Sequence, residues 1–135
     1  MSALASLTAP LNGIAHWALR ISFAATFLYH GLDKVFNSFA WLAGQMGTPV
    51  AALVTFAEVA AGFGILAGGI LPLVGNKALG DLATRLAGLA ALPVGLGAIF
   101  LVHLGAGFNI MNNGYEFALM FTMLALYFFI KGNEA

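Results

Sequence analysis

The chain has 135 residues, of which 61% are hydrophobic and 7% charged, with five basic and five acidic groups. Soluble proteins carry roughly 25% charged residues, so these side chains cannot cover a water-facing surface, and a mean hydropathy of +0.97 points to lipid as the solvent. Zero net charge without a basic run excludes nucleic acid as a partner, and the absence of cysteine excludes disulfides, thiol catalysis and protein-ligated iron–sulfur clusters.

By length the chain is one domain, 1–135. Its start, "MSALASLTAPLNGIAHW", has no Lys or Arg ahead of the first apolar run, so no cleaved signal peptide with a basic leader is expected. Four apolar segments follow, at about 11–32, 49–71, 82–104 and 115–131. Each is read as long enough to cross about 30 Å of hydrocarbon with roughly 20 helical residues. Backbone groups in lipid must bond internally, which predicts an all-α, integral-membrane four-helix bundle with short loops. The first segment follows Pro10. Thr48-Pro49 reads as an N-cap with proline at the first helical position, and Asp81 as the N-cap of the third helix.

Between the first two spans, "KVFNSFAWLAGQMG" is too short to cross and carries Phe36, Phe39 and Trp41, which predicts an interfacial or re-entrant segment. "LVGNKALG" reads as a polar turn, and "GAGFNIMNNG" as a loop folded over the end of the bundle. In the second helix, Ala57, Ala61, Gly64 and Gly68 form a smooth stripe against which a neighbour can pack, and Gly31 near the end of the first helix is a further packing position. Pro93 is expected to kink or loosen the third helix. Phe117, Phe121, Leu124 and Phe128 form a packing or lipid-facing row on the fourth. Lys77, Lys131 and Arg85 share one face and Lys34 lies on the other, which predicts both termini in the cytoplasm.

Charges inside a membrane cost about 2.5–3.5 kcal/mol each on insertion scales and mark function when present. Arg20, His30, Lys34, Glu58, Arg85, His103 and Glu116 are therefore the candidate site. His16, Arg20, Phe23, Phe27, His30 and Lys34 share one stripe, and Arg85 and His103, eighteen residues apart, share a face at 3.6 residues per turn. Depth places Arg20 and Glu58 where they could meet near mid-membrane, and His30, Lys34, His103 and Glu116 towards the outer side. Plainer roles compete with each. Arg20 and Glu58 could be a register-setting ion pair, Glu116 a capping-box partner of Asn113, Arg85 a snorkelling cation and Lys34 an interfacial one. His16 is assigned no role.

"YHGLDKVF" resembles the helix-one signature of the DoxX family of small four-helix membrane proteins. The resemblance continues through Arg20, "AEVAAGFGILAGG", "TRLAGL", "HLGAGF" and "NGYEFAL", and departs at the short tail "KGNEA". It implies a prokaryotic cytoplasmic-membrane location and similarity to the DoxD-type subunit of thiosulfate:quinone oxidoreductases. By this resemblance Arg20, His30, Gly31, Lys34, Glu58, Arg85, His103 and Glu116 carry over as a polar site. Four functions remain open. The first is an accessory subunit of a membrane redox system that binds quinone, with His30, His103 and Lys34 donating to its carbonyls and Glu58 or Glu116 relaying protons. The others are a non-enzymatic structural or assembly subunit, a histidine-ligated metal or haem site, and a small permease. Glu-x-x-His pairs are lacking and the bundle is small, both of which disfavour metal and haem. The expected partners are lipid, other membrane or periplasmic redox subunits, or further copies of the chain.

Overall fold

A computed structural model describes residues 3–134. Met1, Ser2 and Ala135, which the one-domain reading includes, lie outside the described residues. Every regular element described is helical: α1 (Ala3–Thr8), α2 (Asn12–Phe36), α3 (Ala40–Met46), α4 (Thr48–Ile70), α5 (Lys77–Gly97) and α6 (Glu116–Lys131), with short 3-10 turns between them. Helix α5 runs on into a π-helical segment, Ala98–His103. The long helices pack in chain order, α2 on α4, α4 on α5 and α5 on α6. Phe128 of α6 meets Phe23 of α2 edge-to-face, with ring centroids 5.7 Å apart, so the last helix returns to the first.

Small residues let these helices approach closely. Any Cβ placed on Gly68 would stand 2.9 Å from the Thr84 nitrogen, and one on Gly64 would stand 3.1 Å from the Ala87 methyl. The predicted stripe thus faces α5, with Ala61 fully buried and Ala57 only partly so. A second stripe, Gly62 and Gly69, faces α2 instead, where Leu28, Trp17 and Arg20 fill the space. Gly31 of α2 completes that seam against Val59 and Glu58. Between the seams the core alternates Phe23, Phe27, Ile65 and Phe128 with Ala61, Ala87, Ala91 and Ala125.

Most remaining large apolar side chains point outward. Phe36, Leu53, Phe56, Phe100 and Leu101 are all more than half exposed. Two segments, Thr48–Val74 and Lys77–Ala106, are long and apolar enough to cross a membrane by length and composition. Length and composition together thus mark two spans where four were expected. Helix α6 has only 16 residues, and in α2 the residues His16, Arg20 and His30 dilute the apolar run.

Several boundaries differ from the sequence reading. Helix α2 continues past Leu32 to Phe36 and ends where Ser38 and Phe39 adopt left-handed φ values of 52° and 43°. That reversal sends α3 back against α4, with Leu42 buried and Trp41 exposed. Thr48 is the first residue of α4 and makes no cap, since Gly47 precedes it. Helix α5 begins four residues before Asp81, after Asn76, so Asp81 is not a cap. The helix passes through Pro93 and widens only afterwards into the π segment. A π turn takes an extra residue, which breaks the 3.6-residue arithmetic that put Arg85 and His103 on one face.

Gly88 tests the α5–α6 packing against backbone: a Cβ there would stand 2.6 Å from the Ala125 carbonyl oxygen and the Phe129 nitrogen. Gly88→Ala is expected to cost about 1–3 kcal/mol by prying α5 from α6. Gly97→Ala, with nothing within 4 Å of its Cβ, is expected to be neutral or slightly stabilising. Unfolding of the two variants in detergent checks this, and equal stabilities would contradict the packing.

Candidate functional site

The seven candidate residues separate into two groups and one outlier. At one end of the helices, Arg20 is 1% exposed and its guanidinium is held on every side. Nε donates to His16 Nδ1 at 3.0 Å, and Nη1 donates to the Ile65 carbonyl at 2.8 Å and to Thr84 Oγ1 at 3.0 Å. Nη2 donates to Asn133 Oδ1 at 2.7 Å. The carbonyl of Ile65 is reachable because Gly69, one turn on, has no side chain. A Cβ there would stand 3.0 Å from Arg20 Cδ. The ring of Phe128 lies 5.2 Å from Arg20 Cζ and adds a cation–π contact.

Asn133 is the other centre of this knot. Its Oδ1 also accepts from Thr84 Oγ1 at 2.6 Å, its Nδ2 donates to the Gly68 carbonyl at 2.9 Å, and its backbone N–H donates to Asp81 Oδ1 at 2.8 Å. Gly132, at φ 58°, makes the turn that brings the tail back, and a Cβ there would collide with Asp81 and Arg85. Arg85 closes the same end. Its Nε pairs with Asp81 Oδ2 at 2.8 Å, and its Nη atoms donate to the carbonyls of Phe129, Ile130 and Lys131 at the end of α6. So Arg85 holds another helix's C-terminus, where cations are favoured.

Arg20 and Glu58 therefore do not form the pair that depth permitted. Glu58 stands at the opposite end and pairs with Lys34. Nζ of Lys34 donates to Glu58 Oε1 at 3.0 Å and to the His30 carbonyl at 3.2 Å, and lies 2.9 Å from Glu58 Oε2. The last contact lacks hydrogen-bond alignment, so Oε2 is buried with no hydrogen-bond partner. The pairing follows from α2 running to Phe36, which carries Lys34 alongside Glu58.

Lys34 and Glu58 line a cavity of about 640 Å³. Its other walls are Phe27 and His30 of α2, Trp41, Leu42 and Met46 around α3, Val50 and Val54 of α4, and Pro93, Val94 and Gly95 of α5. His103, at the end of the π segment, and Phe117 and Phe121 of α6 complete it. His103 Nδ1 lies 2.8 Å from the Asn113 carbonyl oxygen. Four of the seven candidates, His30, Lys34, Glu58 and His103, thus share one largely apolar chamber. Glu116 does not. Its Oε2 accepts from the Ile110 N–H at 3.2 Å and pins the 105–114 loop, while Asn113, at φ 62°, leaves the helix start to Tyr115, so no capping box forms. Among the described residues, no three of His, Cys, Asp and Glu gather as metal ligands would.

Sequence reading passed over His16, Thr84 and Asn133. His16 lies four residues from Arg20 on the same stripe, so its contact was readable. Thr84 and Asn133 reach Arg20 across 64 and 113 positions of chain, and no local pattern announces that.

The DoxX family model matches residues 15–104, two-thirds of the chain, from α2 to the end of the π segment. The chain belongs to the DoxX family. No curated protein and no solved structure matches it. The matched region of this DoxX chain holds Arg20, Lys34, Glu58 and His103, while Phe117 and Phe121 of the cavity wall and Asn133 of the knot lie beyond it.

The knot makes a direct prediction. Hydrogen bonds to charged groups contribute about 1.5–3 kcal/mol, and stranding a buried partner costs a similar amount. Arg20→Ala and Asn133→Ala should each destabilise the protein, and their double-mutant cycle should show coupling on the order of 1–3 kcal/mol. Strict additivity would mean that the two side chains act independently.

Proposed function

We propose that this chain is an integral membrane subunit, a four-helix bundle of a prokaryotic cytoplasmic membrane, that binds a quinone as an accessory component of a membrane redox system. One observation carries the reading: a 640 Å³ chamber whose walls are aromatic and aliphatic, with a buried Lys34–Glu58 ion pair and two histidines at its lining. Ligand pockets run to about 300–1,000 Å³ and combine apolar walls with a few placed polar groups. A flat ring on an isoprenoid tail matches that description, since the ring finds Phe27, Phe117, Phe121 and Trp41 while its oxygens find the polar groups. The outward-facing phenylalanines and leucines suit a lipid surround, and the family assignment supports it.

Lys77, Arg85 and Lys131 lie at the end opposite Lys34, so the positive-inside tendency puts the knot, the α4–α5 turn and both termini in the cytoplasm. The chamber then opens near the outer leaflet, within reach of periplasmic redox partners. A second reading, a structural subunit without a ligand, draws on the Arg20 knot, where every polar group serves packing. It gives no account of the chamber.

Purified protein in mild detergent should carry quinone in an organic extract, and His30→Ala should lose most of it while keeping its helical content. Folded preparations that are repeatedly quinone-free would favour the structural reading. Orientation is checked separately, because the chain has no cysteine of its own. Lys77→Cys should label only from the cytoplasmic side, and Gln45→Cys only from the outside.

A further inference from the structure

Helix α3 is joined to its neighbours by two left-handed bends. Ser38 and Phe39, at φ 52° and 43°, lead into it, and Gly47, at φ 84° and ψ 153°, leads out. Positive φ is sparse for residues with a side chain, and a few positions at an element's ends are where a hinge absorbs its rotation. Backbone bonds at both joints stay inside the segment: the Ala43 N–H donates to the Phe39 carbonyl and the Gly47 N–H to the Ala43 carbonyl. Among the described residues no α3 side chain makes a hydrogen bond or an ion pair.

What holds α3 to the bundle is apolar. Leu42 is its one buried residue, and α4 is its main neighbour. Its other edge is loosely packed. A second cavity, of about 250 Å³, lies between α3 and the π segment, lined by Trp41, Gln45, Met46, Leu101 and Val102. All of these except Gln45 also line the chamber. One layer of four side chains therefore separates the two spaces, with α3 on one side and the π segment on the other. Trp41 and Gln45 are exposed, so the second cavity reaches the surface.

We propose that α3 is a movable lid, latched by Leu42, and that the chamber loads at its Lys34 end through the seam between α3 and the π segment. The proposal gives the ligand of the quinone reading its route, and it rests on that reading only for what passes. Swinging α3 about its two joints breaks no side-chain hydrogen bond and withdraws a single buried side chain from the interior. The long helices offer no comparable opening. Gly31 brings α2 against the Val59 nitrogen of α4, Gly88 brings α5 against the Ala125 carbonyl of α6, and the Phe27 and Phe121 rings join α2 to α6 with centroids 6.4 Å apart.

The test follows a thiol placed inside. Val94 lines the chamber and packs against the core, so Val94→Cys reports access to the interior of a chain with no other cysteine. In nanodiscs, a polar, lipid-insoluble thiol reagent should label position 94 slowly. Leu42→Ala should speed that labelling by about tenfold or more while the thermal midpoint of the bundle moves little, because local opening is governed by the contacts that close it. If Val94→Cys does not fold, Val54→Cys on α4 lines the same chamber and replaces it. In a separate variant, Gln45→Cys with Val102→Cys, a short bis-maleimide across the seam should slow release of a short-chain benzoquinone by about tenfold relative to the unlinked protein. Labelling indifferent to Leu42→Ala, labelling by lipid-soluble reagents alone, or unchanged release after cross-linking overturns the lid and leaves the quinone reading standing. Labelling that Leu42→Ala accelerates in a protein that binds no quinone upholds the lid and overturns the quinone reading.

Discussion

The guanidinium of Arg20 is the constraint around which the rest of the molecule is arranged. A cation buried to 1% exposure is tolerable only when its N–H groups find acceptors. Here those acceptors come from four places: His16 on its own helix, Ile65 on α4, Thr84 on α5 and Asn133 on the tail. Satisfying one residue therefore fixes the relative height of three helices and ties down the chain's end. Glycines make this affordable in space. Gly69 opens the Ile65 carbonyl to the arginine, and Gly68 lets Thr84 lie against α4.

Fixing one end in this way leaves the other end free to be open. Near the knot the helices are drawn together by Asn133, Asp81 and Arg85. Towards Lys34, α2, α4, α5 and α6 enclose a chamber that α3 partly covers. Two backbone irregularities give it shape: the left-handed Ser38-Phe39 reversal that turns α3 inward, and the π segment that carries His103. Both lie beside the chamber, and irregular backbone of this kind commonly accompanies functional sites.

The two ion pairs differ in what they can do. Asp81–Arg85 is partly exposed, joins residues one helical turn apart and belongs to a network of tail and helix-end contacts. Lys34–Glu58 joins two helices across 24 positions, is mostly buried and holds Nζ close to both carboxylate oxygens. The first ties helix ends to the tail, and the second ties α2 to α4 at the wall of the chamber.

By itself the sequence determined the helical class, the placing of the long helices to within a few residues, the α5-facing stripe of Ala61, Gly64 and Gly68, and the DoxX membership. These follow from hydropathy runs, small-residue spacing and local signatures, all of which act over neighbouring positions. It also singled out the ionisable residues, because charge is rare in so apolar a chain. Which of them are partners was decided only by tertiary structure. Depths counted along the sequence let Arg20 and Glu58 meet, yet the arginine lies level with Ile65, about two turns along α4 from Glu58, because such counting leaves open where each helix starts and ends. Helix α2 running on to Phe36 gave Glu58 to Lys34, a π segment leads to His103 at the chamber, and a tail of a few residues brought Asn133 to the arginine. Each is a long-range or non-ideal feature, and no periodicity within a single helix encodes it.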